Sequence, residues 1–174
     1  MQRSQVISIA LFIGLFSILY FACSTKTKEQ EALEKSRAEN LEILNIDRIN
    51  ADAIKGLSGP NRLQVSEWID SLELLSVEED KVRIYEQIAS LWYNEGRPLL
   101  SAYYAEKIAN LKNTEETWQI TGTSYLIAAQ RLQDDREKQY AVQRSRLALE
   151  KAISFNTSNI ENRINLALTY VEQP

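Results

Sequence analysis

The 174-residue sequence contains no histidine, a single cysteine, one methionine, three prolines and five glycines. Without histidine the commonest general base and the commonest metal ligand are both missing. One cysteine, Cys23, can form neither an internal disulfide nor a thiolate cluster. Few prolines and glycines leave little material for a turn-rich β architecture. No block of one charge sign stands out either. The 24 acidic and 20 basic side chains give a net charge of −4, interspersed along the chain. That balance argues against a nucleic-acid partner, which calls for a basic face. What remains is a chain 44% hydrophobic and 25% charged, a composition suited to helices around an apolar core.

The first 25 residues stand apart. Val6 to Cys23, VISIALFIGLFSILYFAC, is uncharged and apolar, and Arg3 precedes it. As a helix it is about 27 Å long, close to the hydrocarbon thickness of a bilayer. Residues 1–25 therefore read as a membrane-targeting segment, with three outcomes open: an uncleaved transmembrane anchor, a cleaved signal, or a lipoprotein signal acylated at Cys23. Tyr20 and Phe21 are too bulky for ordinary cleavage and suit an interfacial aromatic belt, so the anchor is preferred. Lys26, Lys28, Lys35 and Arg37 on the far side do not favour export of the C-terminal part. The short leader before the apolar run does, and the expectation is an extracytoplasmic or periplasmic domain.

Residues 26–61 form a charged segment with no glycine before Gly56 and no proline before Pro60. Leu33, Leu41, Leu44, Ile49 and Ile54 fall irregularly at helical spacing, predicting a long solvated helix, or stalk, without the clean heptads of a coiled coil. Ser58-Gly59-Pro60-Asn61 should break it. An amphipathic helix is expected over 62–76, carrying Val65, Trp68, Ile69, Leu72 and Leu75 on one side. Ser76-x-x-Glu79, Asp134-x-x-Glu137 and Ser158-x-x-Glu161 have the form of capping boxes, and Asn113-Thr114 should open another helix. Gly96 and Pro98 mark one helix end and the next start. Connections this short predict antiparallel neighbours.

Over 77–174 the helices repeat. Trp118, Thr121, Gly122 and Tyr125 are matched 33 residues earlier by Tyr85, Ile88, Ala89 and Trp92, and later by Arg163, Leu166, Ala167 and Tyr170. In the second helix of each pair Ser101, Ala105 and Ile108 correspond to Ser145, Leu149 and Ala152. The pattern is large, medium, small, large, then small and medium. It resembles the tetratricopeptide repeat (TPR), whose helix–turn–helix unit of roughly 34 residues carries W-x2-L-G-x2-Y before small residues in its second helix. The resemblance implies an all-α solenoid of antiparallel pairs over 77–112, 114–157 and an incomplete 159–174. Gly122, Ala89 and Ala167 would then stand where a second helix crosses the first. Two departures are visible. Between Tyr125 and Ser145 the chain holds 11 more residues than between Trp92 and Ser101, centred on QRLQDDREKQY, which reads as a solvated tip rather than a partner-binding projection. The sequence also stops after the first helix of the third unit, so Ile164, Leu166, Leu168 and Tyr170 would lack a cover, as in a truncated chain.

A membrane segment leading into a charged helix and diverged repeats is similar to envelope-associated TPR proteins of Bacteroidetes-type bacteria. The resemblance implies a non-enzymatic scaffold in the inner membrane or envelope, with a protein or peptide partner and no cofactor or metal. It also implies a concave groove with Glu86, Ser90 and Tyr93 from the first unit and Gln119, Thr123 and Leu126 from the second. That set lacks the basic residues with which some TPR domains clamp a C-terminal carboxylate. A spacer or self-associating module is the alternative. An enzyme using Glu115, Glu116, Asp134 or Asp135 is disfavoured, because acids at helix starts are accounted for by the helix dipole.

Overall fold

The computed structural model describes Gln5 and residues 44–172. The expected membrane segment, Cys23 and the stalk as far as residue 43 lie outside the described residues. Among those described, no helix is long and apolar enough to cross a membrane. The helices belong to the unit Asn40–Pro174. Its described residues form seven helices and no strand: α1 Ile46–Gly56, α2 Gly59–Leu74, α3 Glu78–Asn94, α4 Pro98–Lys112, α5 Glu115–Arg131, α6 Asp135–Phe155 and α7 Ile160–Val171.

Local chemistry sets most of the boundaries. α3 ends at Asn94, and Gly96 lies just beyond at φ 69°, a conformation open to glycine at no steric cost. Pro98 opens α4, where its missing N–H is no loss. Asn113 closes α4 in the left-handed region, and the Thr114 and Thr117 side chains cap α5 reciprocally. Asp134 accepts from the backbone N–H groups of Arg136 and Glu137, both at 3.0 Å.

Three boundaries differ from expectation. Ser76 does not cap α3: Val77 occupies the extended cap position, one residue further on, and Glu78, Glu79 and Asp80 face the positive end of the helix dipole instead. Ser158 does not cap α7 either. Its N–H and hydroxyl are drawn into a turn on Asn156 Oδ1, and Asn159 takes the cap, accepting from Glu161 and Asn162. Finally, Gly59 and Pro60 lie inside the first turn of α2, so the break falls at Leu57 and Ser58.

The stalk requires a larger correction. A new helix, α1, starts at Ile46, with Asn45 accepting from Arg48 N–H at 2.9 Å, so no single helix runs through to Leu57. Nor is α1 a solvated spacer. Ile46 and Leu57 are buried in the core, with Ile49, Ala53 and Ile54 packed against it. Asp47 accepts from the Tyr103 hydroxyl, and Asn50 donates to the Tyr104 hydroxyl at 2.9 Å. The apolar spacing that is irregular for a coiled coil is that of a short helix laid on α4.

The core runs through Val65, Ile88, Trp92, Leu100, Tyr104, Tyr125, Ala128 and Ala141. Each helix packs on the next, and α7 also reaches back to α5. Within the α5–α6 pair the crossing is close: Ser145 Oγ donates to the Gly122 carbonyl at 2.7 Å, and Leu149 fills the space where a Cβ would stand.

The extra residues lengthen both helices. Trp92 lies two residues before the end of α3, whereas Tyr125 lies six before the end of α5. Ser101 is three residues past the start of α4, and Ser145 is ten past that of α6. These added turns are packed more than solvated. Ala128, Ala129, Tyr140, Ala141 and Val142 join the core, and Lys138 bridges to Glu172 at 3.4 Å.

Candidate functional site

Between the α3–α4 pair and α5 lies an open cleft of about 540 Å³. α3 supplies Glu86, Ala89, Ser90 and Tyr93; α4 supplies Ser101, Ala105, Ile108 and Lys112; α5 supplies Glu116, Thr117, Ile120 and Ser124. The cleft exists because α3 and α4 present small side chains here, at helical spacing, where larger ones would fill the gap. Tyr93 and Ile120 stand about half exposed at its edges, so apolar surface is available rather than spent on the core. A second, shallower groove of about 680 Å³ lies on the other side of α3, lined by Gln64, Trp68, Gln87 and Asn94 among others. Glu86 and Ser90 border both.

The three groove positions expected on α3, Glu86, Ser90 and Tyr93, all line this cleft. The three expected on α5 do not. Thr123 accepts from Asn165 Nδ2 of α7 at 3.3 Å, and Leu126 is only 4% exposed, so it is unavailable to a ligand. Gln119 is half-buried outside the cleft. These three share the motif offsets of the α3 set, but on α5 those offsets fall outside the cleft, with Thr123 bonded to α7. The residues that do face the cleft are Glu116, Thr117, Ile120 and Ser124. The sequence holds one signal for them: Ile120 is a large apolar residue in the first half of α5 that the repeat motif does not use.

The packing positions divide by helix. Ile88, Trp92, Thr121, Gly122, Tyr125 and Ala152 are buried; Tyr85, Ala89, Trp118 and Leu166 are partly so. Trp118 Nε1 donates to Asn113 Oδ1 at 2.9 Å, and Tyr85 packs on Tyr104 with ring centroids 6.0 Å apart. On α7, Ala167 and Tyr170 are exposed. The Tyr170 ring lies beneath the Arg146 guanidinium at 4.0 Å.

A polar cavity of about 430 Å³ opens where the start of α1 meets α4 and α6. Its charges are mutually compensated. Glu106 accepts from the Tyr125 hydroxyl at 2.8 Å and from Arg144 Nε at 3.1 Å, and Arg144 makes a second contact to the same carboxylate. Lys107 sits 4.8 Å from the centre of the Tyr103 ring. Burial pushes the phenols of Tyr103, Tyr104, Tyr125 and Tyr140 above their ordinary range, and burial pushes Arg144 down. Tyr103 and Tyr125 donate to the Asp47 and Glu106 carboxylates and Tyr104 accepts from the Asn50 amide, so the phenols tie α1, α4 and α5 together. Glu115, one of the acids weighed for catalysis, is held by Asn159 Nδ2 at 2.7 Å and Asn162 Nδ2 at 3.3 Å. Asp134 is the α6 cap. Among the described residues no cluster of acids or cysteine could hold a metal ion.

No family model, curated protein or solved structure matches this chain.

Proposed function

We propose that this protein is a non-enzymatic, membrane-tethered scaffold of the tetratricopeptide type, which holds a segment of another protein in a bacterial cell envelope. The observation that carries the reading is the cleft between α3–α4 and α5. It combines exposed apolar side chains, Tyr93 and Ile120, with a ring of hydroxyls and no nucleophile–base pair. Two successive helix pairs, the second crossing closely at Gly122, support the repeat assignment. The apolar run over 6–23 supports the tether to the inner membrane, with the repeats on the periplasmic side; acylation at Cys23 is the lesser alternative.

Photocrosslinking in cells tests the reading, with a reactive side chain at Tyr93 or Ile120 and a control at the exposed Glu150 of α6. Capture of one identified protein from both cleft positions and not from Glu150, lost on Tyr93→Ser in the Ile120 crosslinker, is the expected result. Equal capture at all three positions would remove the cleft from the function.

A second reading, self-association without a client, is favoured by one feature. The outward face of α7 presents Ile160, Ile164, Leu168 and Val171 to solvent. Sedimentation of the detergent-solubilised chain separates the two: concentration-dependent dimers abolished by Ile164→Asp, with no client captured at Tyr93, would favour self-association.

A further inference from the structure

We propose that the segment bound in the cleft is extended and basic, setting a Lys or Arg side chain on Glu86 and an apolar side chain beside Tyr93 and Ile120. This rests on the scaffold reading and names the chemistry of its client. The cleft and the groove on the far side of α3 share Glu86 and Ser90, so a segment reaching from Trp68 to Ile120 would pass Glu86 as it crosses α3. A segment that enters both recesses must cross α3, and an extended chain, rising about 3.3 Å per residue, makes that crossing in few residues.

Its polar lining suits such a chain. Gln64, Gln87 and Asn94 carry side-chain amides with no hydrogen bond among the described residues, each offering a donor and an acceptor to a client's main chain. The charge is one-sided. Glu86 is exposed and makes no ion pair among the described residues, and the same holds for Glu116 further along. Glu95 adds a third carboxylate on the groove side. Against them stand Lys112, which pairs with none of the three, Arg131, whose guanidinium lies 5.8 Å from the centre of the Tyr93 ring, and Arg83, which is occupied by Asp80. Three carboxylates against Lys112 and Arg131 leave the lining net negative, which favours a cationic client over an acidic one. The apolar end lies between Tyr93 and Ile120, where a volume of about 540 Å³ takes an aromatic side chain with its neighbours.

The test uses the full chain in lipid nanodiscs and two fluorescent peptide pools. Both pools carry one fixed tryptophan among varied uncharged residues; they differ only in whether the flanking positions hold Lys or Glu. Anisotropy should show the Lys pool binding at least roughly fivefold tighter at low salt, a preference shrinking as salt rises. Glu86→Gln should abolish most of that preference and Glu86→Lys should reverse it, while Glu150→Gln on α6 leaves it intact. Equal binding of both pools, or a Lys preference untouched by Glu86→Gln, overturns the inference and leaves the scaffold reading standing. Binding of neither pool removes the scaffold reading, and the inference with it.

Discussion

A Cβ added at Gly122 would lie 2.5 Å from Leu149 Cγ, 2.8 Å from its Cδ2 and 3.2 Å from its backbone nitrogen. The nearest of these atoms is a branch point, and the third belongs to the helix itself, so α6 has to move for anything larger than glycine to fit. Alanine would gain ~1 kcal/mol of helix propensity. Overpacking a tight crossing costs ~1–3 kcal/mol, and the Ser145 bond to the Gly122 carbonyl would be stretched as well. The second effect wins. Gly122→Ala should lower stability by ~1–2 kcal/mol in a chemical denaturation monitored by circular dichroism. Gly56→Ala, where nothing stands within 4 Å, should raise it by ~0.5–1 kcal/mol. If Gly122→Ala stabilised the protein as Gly56→Ala does, the close crossing would not exist in solution. Gly122 was legible in the sequence because its cost needed a reason and its neighbours supplied a pattern. Leu126 was not, since the side of a helix that gets buried depends on which element arrives next.

At the scale of the element, α7 is inverted. The face it turns to α5 and α6 carries Asn162, Asn165 and Thr169, of which Asn162 and Thr169 are fully buried. Asn162 Nδ2 donates to Glu115, Asn165 Nδ2 to Thr123, and Arg146 Nε to Thr169 Oγ1. Its outward face is the apolar one, with Ile164 55% and Leu168 41% exposed. The usual rule that apolar substitutions cost most therefore reverses. Ile164→Ser should change stability by no more than ~0.5 kcal/mol, because that side chain is largely in water already. Asn162→Ala should cost ~1 kcal/mol, by removing one of the two amide bonds to the half-buried Glu115, a loss offset in part because the buried Asn162 Oδ1 has no partner. Thermal melts of the two variants decide it, and a larger loss for Ile164→Ser would mean that α7 packs the other way round. The start of α7 was readable from its cap to within a residue, because capping is local chemistry. The inversion was readable only in part: the uncovered apolar positions came from the repeat pattern, whereas the buried amides depend on partners far away in the chain, on α5.

Across the whole molecule, tyrosines tie the helices together. Tyr103 and Tyr104 of α4 reach Asp47 and Asn50 of α1, Tyr125 of α5 reaches Glu106 of α4, and the Tyr140 ring of α6 meets that of Tyr125 edge-on at 6.2 Å. None of this seam was visible in the sequence, where 44–57 reads as the end of a stalk, Tyr125 as repeat packing and Tyr140 as part of a solvated tip. An isolated pattern shows which face of α1 is apolar, but not that α4 offers hydroxyls opposite Asp47 and Asn50. The seam has a consequence at alkaline pH. Burial, the first cause at all four tyrosines, raises their folded-state pKa above that of an unfolded chain, near 10. The folded state thus holds protons that the unfolded state releases. Its stability is intact below about pH 10 and falls as pH climbs beyond it. In an alkaline titration the phenolate absorbance of these four tyrosines should appear together with the loss of helical ellipticity, in one transition. Tyr104→Phe should make the fall with pH shallower, since one group that must stay neutral is gone. Tyr103 and Tyr104 ionising while the helical signal stays whole would mean that α1 lifts from α4 without unfolding the rest, and that this part of the seam is a latch on the bundle rather than part of its core.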